Sequence, residues 1–220
     1  YRPGPAVTEG RLTWVNAATM TVDIVNLEPV IDLVPGTLTV DGTDAANVID
    51  YRATGANGLV SVDAYETMQF ANKTNVTLNG GSGNDQFHVA PTSAGFTGTL
   101  FIHGDSPTLS GDLLAVNGAL ATVTVNHAAG TVTGAGPSLI DYGTIERLMV
   151  NAGSSTTLAM TGSADYTVNP GAETDQGEVL SGGVPVDFDG FGSGETLALT
   201  GTGAGAVTVN GTAANDVFNV

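Results

Sequence analysis

The sequence predicts an all-β repeat fold: a right-handed parallel β-solenoid, with a string of small β-sandwiches as the alternative. Three observations predict it. A unit of short alternating strand, Asn/Asp-Gly turn and second alternating strand returns along the chain. A Glu-headed strand precedes each return at a near-constant offset. Strand-like runs recur about every 8–12 residues, and no window carries a helical period.

The clearest unit is Val76–Val89 (VTLNGGSGNDQFHV). Variants stand at Leu38–Tyr51 (LTVDGTDAANVIDY) and Val207–Val220 (VTVNGTAANDVFNV), with a shortened one at Leu158–Val168. Glu28, Glu66, Glu146 and Glu195 head the second element, and they precede Leu38, Val76, Leu158 and Val207 by 10, 10, 12 and 12 residues. Successive glutamates are separated by 38, 80 and 49 residues, so the 80-residue interval reads as two units of about 40 residues. Leu114-Ala115-Val116-Asn117-Gly118 supplies the intermediate turn.

Taken in order, residues 1–11 hold two prolines and little periodicity, and are expected to be a connection or an incomplete repeat. Residues 12–220 form the β-repeat domain, with repeats beginning near 28, 66, 105, 146 and 195 and the last one broken off mid-repeat. Strands are expected at 99–103, 121–126, 138–142, 146–150, 179–188 and 195–200. Asn-Gly at 79–80, 117–118 and 210–211 and Asp-Gly at 41–42 supply the positive-φ positions that tight turns need. The alternation points Met68, Phe70, Val76, Leu78, Phe87, Val89, Leu148, Val150, Leu197, Leu199, Val207, Val209 and Phe218 inward.

Composition narrows the classes. The chain has 31 Gly, 12% charged residues and 41% apolar residues, which suits closely spaced strands and excludes a disordered chain. Its 22 acids against 5 bases give a net charge of −17, a field that repels nucleic acid and anionic membrane and attracts divalent cations. There is no cysteine, so a disulfide scaffold and thiolate metal sites are excluded. No apolar run approaches the roughly 20 residues of a membrane helix, so no membrane insertion is expected.

Gly80-Gly81-Ser82-Gly83-Asn84-Asp85-Gln86-Phe87-His88 fits the nonapeptide G-G-x-G-x-D-x-U-x residue for residue. The segment resembles the hemolysin-type (RTX) calcium-binding repeats of secreted bacterial proteins. That resemblance implies Asp85 as side-chain ligand to calcium, with carbonyls from Gly80 and Gly83 and Phe87 pointing inward. The family uses such nonapeptides in tandem, whereas this match stands alone. The plainer reading is a Gly-rich corner closed by Asn84 and Asp85. More broadly, the repeat grammar resembles the repeat regions of very large secreted bacterial surface proteins, and implies an extracellular, non-catalytic role.

The other polar candidates are ordinary by spacing. Glu28, Glu66, Glu146 and Glu195 either form a cation-binding ladder or each cap a corner, and the capping reading is the simpler one. Asp105 with Asp112 and Asp187 with Asp189 are carboxylate pairs of the sort glycoside-cleaving enzymes use, and also of the sort turns use. His88, His103 and His127 lie in different strands without metal-ligand spacing, and no serine stands in a G-x-S-x-G context.

The functional expectation is a structural repeat module of a cell-surface or filament-forming protein, rigidified by calcium and associating with itself or with neighbouring repeats. An adhesin module binding carbohydrate or a cell surface is the second reading. A β-helix enzyme that cleaves polysaccharide is the third.

Overall fold

A computed structural model describes residues 1–15, 18–27, 29–91, 95–106 and 111–212. Among them every regular element is a strand, and the strands stack into a β-solenoid of about 5 turns. At the N-terminus β1 (Arg2–Pro3), β2 (Glu9–Val15) and β3 (Thr19–Val25) form a small antiparallel sheet. An eleven-stranded sheet holds β4 (Val30–Asp32), β6 (Val48–Thr54), β7 (Asn57–Val62), β8 (Met68–Phe70), β10 (Gln86–Val89), β12 (Leu113–Asn117), β16 (Arg147–Asn151), β18 (Tyr166–Pro170), β19 (Gly177–Leu180), β20 (Val186–Asp189) and β22 (Val207–Val209). An eight-stranded sheet holds β5 (Gly36–Asp41), β9 (Lys73–Ser82), β11 (Thr99–Ser106), β13 (Thr122–Asn126), β14 (Thr131–Thr133), β15 (Leu139–Gly143), β17 (Thr157–Ser163) and β21 (Thr196–Gly201).

The chain alternates between the two large sheets, so each coil lies beside the one before it. Strand period two then puts the same face of every strand inward. In the eight-stranded sheet Leu38, Val76, Leu100 and Ile140 stack in parallel register. In the other sheet Ile49, Phe87, Leu114, Leu148 and Val186 do the same. All nine are buried. Each such file is removed from water by the coil on either side, which is how a solenoid stabilises units that have no core of their own.

The plainest coil takes 24 residues from Asn79 to His103. Elsewhere the chain overshoots and returns. From β5 it enters the eleven-stranded sheet three places ahead, as β6, and comes back through antiparallel β7 and β8 to lie beside β4. β13–β14–β15 and β18–β19–β20 repeat this excursion. It lengthens the step to 38 residues between Asn47 and Asp85 and to 41 between Asp165 and Ala206. The sequence period of about 40 is therefore a coil plus an antiparallel return, and the expected run 179–188 divides into β19 and β20.

Residues 1–11 hold β1 and the start of β2. The Asp41 N–H donates to the Tyr1 carbonyl at 3.0 Å, which lays β1 along β5. At the other end the expected burial fades. Leu197 and Leu199 are half-buried, while Val207 and Val209 are 57% and 53% exposed. β22 pairs with β18 on one side alone among the described residues. Phe218 lies outside the described residues.

Position in the stack should thus decide how much a side chain contributes. Phe87→Ala, at the fully buried centre, is expected to lower the unfolding free energy by about 3–5 kcal/mol. Val209→Ala should stay within about 0.5 kcal/mol of the parent in urea titrations.

Candidate functional site: the corner carboxylates

Where the chain turns into β6, β10, β12 and β16, one polar residue immediately precedes each strand: Asn47, Asp85, Asp112 and Glu146. The strand register (Val48 beside Gln86, Gln86 beside Leu113, Leu113 beside Arg147) stacks these four directly over one another. A corner leaves backbone N–H groups without a ladder partner, and burial makes each one costly unless it finds an acceptor. The next coil supplies it. Asn47 N–H donates to Asp85 Oδ1 at 2.7 Å, Asp85 N–H to Asp112 Oδ1 at 2.7 Å, and Asp112 N–H to Glu146 Oε2 at 2.6 Å. The result is a staircase of carboxylates, each holding the coil before it.

Asn47, at the start of the staircase, needs both signs. Its Oδ1 accepts the Thr43 N–H at 2.8 Å and its Nδ2 donates to Asp63 Oδ2 at 2.6 Å. An amide satisfies both and a carboxylate would not. Asp63, in the connection between β7 and β8, also accepts the Val48 N–H at 2.7 Å.

Glycine makes room on the opposite wall of the corner. A Cβ on Gly80 would strike the Asp85 carboxylate and stand 2.8 Å from the Gly104 carbonyl, and one on Gly104 would strike the Asp112 carboxylate and the Thr144 carbonyl. Asp85 and Asp112 are consequently 0% exposed, and the Oδ2 of each has no hydrogen-bond donor among the described residues. Burial pushes Asp85 up to about 6, against the pull of the Asn47 N–H, and the neighbouring Asp112, Asp63 and Asp105 add to the rise. Burial likewise raises Asp112, opposed by the Asp85 N–H and reinforced by Glu146 and Asp105.

Of the residues expected to hold calcium, Asp85 and Gly80 meet at this corner. Gly83, at φ 123°, packs instead on Ala45 and Ala46 of the preceding coil. Among the described residues no three side chains of His, Cys, Asp or Glu gather as a ligand set. Asp85 and Asp112 each present one orphaned Oδ2, at successive corners.

The glutamates do not form one ladder. Glu66 precedes β8 and Glu146 precedes β16, strands far apart in the eleven-stranded sheet, and Glu195 precedes β21 in the other sheet. Glu28 lies outside the described residues. Two of them cap: Glu66, 1% exposed, accepts the Leu27 N–H at 3.3 Å, as Glu146 accepts that of Asp112.

Asp105 and Asp112 take separate tasks, since the exposed Asp105 donates its N–H to the Thr144 hydroxyl oxygen at 2.8 Å while Asp112 is in the staircase. On β20, Asp187 pairs with Arg147 and Asp189 accepts from Gln176 at 3.3 Å. The histidines stand apart, with Nδ1 of His88 on Asp50 at 2.9 Å, of His103 on Asn79 at 3.1 Å and of His127 on the Ser181 hydroxyl at 2.8 Å.

Sequence reasoning passed over Asn47 and Asp63 and gave Asp112 a different part. A usable signal existed: a polar residue placed two before an inward apolar one, as in Asn47-Val48-Ile49, Asp85-Gln86-Phe87, Asp112-Leu113-Leu114 and Glu146-Arg147-Leu148.

Comparison with protein-family models, with curated proteins and with solved structures yields no match for this chain.

Two outcomes are expected. Folded Asp85 keeps its proton to about pH 6, well above the ordinary 3.8, so its contribution to stability is greatest below about pH 4 and declines as the pH rises through 6. In chelator, Asp85→Asn should therefore melt a few degrees higher than the parent at pH 7 and no higher at pH 4, by circular dichroism. Gly80→Ala should destabilise by several kcal/mol, whereas Gly143→Ala, whose Cβ meets only the His103 ring at 3.6 Å, should change the unfolding midpoint little.

Proposed function

We propose that this chain is a non-catalytic structural repeat module of a secreted cell-surface or filament-forming protein, stiffened by calcium at its corners. The observation that carries the reading is the continuity of the two large sheets. Eleven and eight strands run side by side through stacked coils, and the corner carboxylates bond four successive corners to one another. At the ordinary strand spacing, eleven strands make a rod roughly 45–50 Å long. β21 and β22 end it with free edges among the described residues, and free edges favour another coil, from neighbouring repeats or a second copy.

Calcium has a physical task in such a rod. At neutral pH a charged Asp85 lies buried with one oxygen that has no donor among the described residues, and a divalent cation beside it would offset that burial.

Melting in calcium and then in chelator tests the cation: the midpoint should rise by several degrees with calcium, and the rise should vanish in Asp85→Asn. An unchanged midpoint removes calcium from the proposal. Single-molecule extension tests the mechanical role, with coil-sized steps expected. Release of reducing ends or unsaturated products from any polysaccharide by the purified chain would overturn the non-catalytic reading.

A further inference from the structure

The chain carries only five basic residues, and two of them meet in one cleft. The cleft lies between the N-terminal sheet and the first corner of the solenoid, with a volume of about 560 Å³, a size typical of small-molecule sites. Arg2 of β1 stands directly opposite Arg11 of β2, and Arg11 stands opposite Asp23 of β3. Directly opposed like charges destabilise an antiparallel pair unless an anion lies between them. Asp23 does not serve both. It takes Nε and Nη2 of Arg11 at 2.6 and 3.1 Å, which fixes that guanidinium in place, while Arg2 is exposed and makes no ion pair among the described residues. One oriented and one free guanidinium, side by side, form a fork for a carboxylate.

The rest of the lining says what carries that carboxylate. Pro3 and Pro5 offer flat, stiff apolar faces, Thr43 adds a hydroxyl, and Glu9 and Asp44 add carboxylates. Asp44 repels a second anionic group but accepts hydrogen bonds from hydroxyls. The net charge of −17 acts the same way at longer range, so a polyanion laid across the molecule is disfavoured and a ligand with one local carboxylate is not.

We propose that this cleft binds a sugar acid, the uronate unit of an acidic saccharide: its carboxylate lies on Arg2 and Arg11, its hydroxyls on Thr43 and Asp44, and its apolar ring face on the prolines. The proposal stands apart from the structural role, since a rod serves as a stalk whether or not its end holds a sugar.

Isothermal titration with a galacturonate trimer, a neutral galactose trimer and an Asp-rich tripeptide tests it at physiological ionic strength. The uronate trimer should bind, the neutral trimer should not, and the peptide should bind at least tenfold more weakly. Arg2→Gln, an exposed change that should leave the melting midpoint in place, should weaken uronate binding about tenfold or more. No heat with the uronate at millimolar concentration, equal binding of the neutral trimer, equal binding of the peptide, or unchanged affinity in Arg2→Gln would each overturn the assignment. None of these results bears on the calcium and extension experiments.

Discussion

Everything in this molecule depends on one coil satisfying the hydrogen bonds of the next. A two-strand coil has no core and leaves its backbone N–H and C=O groups pointing along the axis. Only a neighbour in register provides both ladder partners and cover for the inward files. The parallel pairing of β5, β9, β11 and β15, and of β6, β10, β12 and β16, meets that demand in the straight parts. Corners cannot use the ladder. There a side chain from the next coil substitutes for it, and Asp85, Asp112 and Glu146 do so in succession.

That solution brings a conflict of its own. A carboxylate that reaches a buried N–H must itself be buried, and its second oxygen is then left without a donor. Gly80 and Gly104 show how closely the chain tolerates this, since no side chain fits where the carboxylates lie. The raised proton affinity of Asp85 is the electrostatic record of the same conflict. Protonation relieves it, so corner stability and pH are linked.

The charge distribution separates two regions of the rod. Along the stacked coils acids predominate, and they are largely committed: Asp50 to His88, Asp41 to Asn79, Asp187 to Arg147. The N-terminal sheet differs in kind, being antiparallel, more exposed and furnished with opposed guanidiniums. Scaffold and recognition can thus occupy different parts of one chain without competing for the same residues.

The amino-acid sequence alone determined that this is an all-β repeat protein and which face of most strands lies inward. Those are local matters: Gly, Thr and Val frequency and period-two alternation are read within a few residues, and Val76, Leu78, Phe87 and Val89 are buried as the alternation requires. The expected Asn-Gly and Asp-Gly turns differ: Asn79-Gly80 lies inside β9, and Gly42, Gly80 and Gly118 keep a φ outside the left-handed region. It left the sheet assignment of each strand undecided, so that Leu38 and Val76 proved direct neighbours while the similar Val207 lies in the other sheet. Only the tertiary structure decided the antiparallel returns, the unequal 24- and 38-residue steps and the stacking of Asn47, Asp85, Asp112 and Glu146. The reason is physical: the coil steps and the corner stacking are set by contacts between residues 24 to 41 apart, and local propensity carries no record of which distant strand will lie alongside.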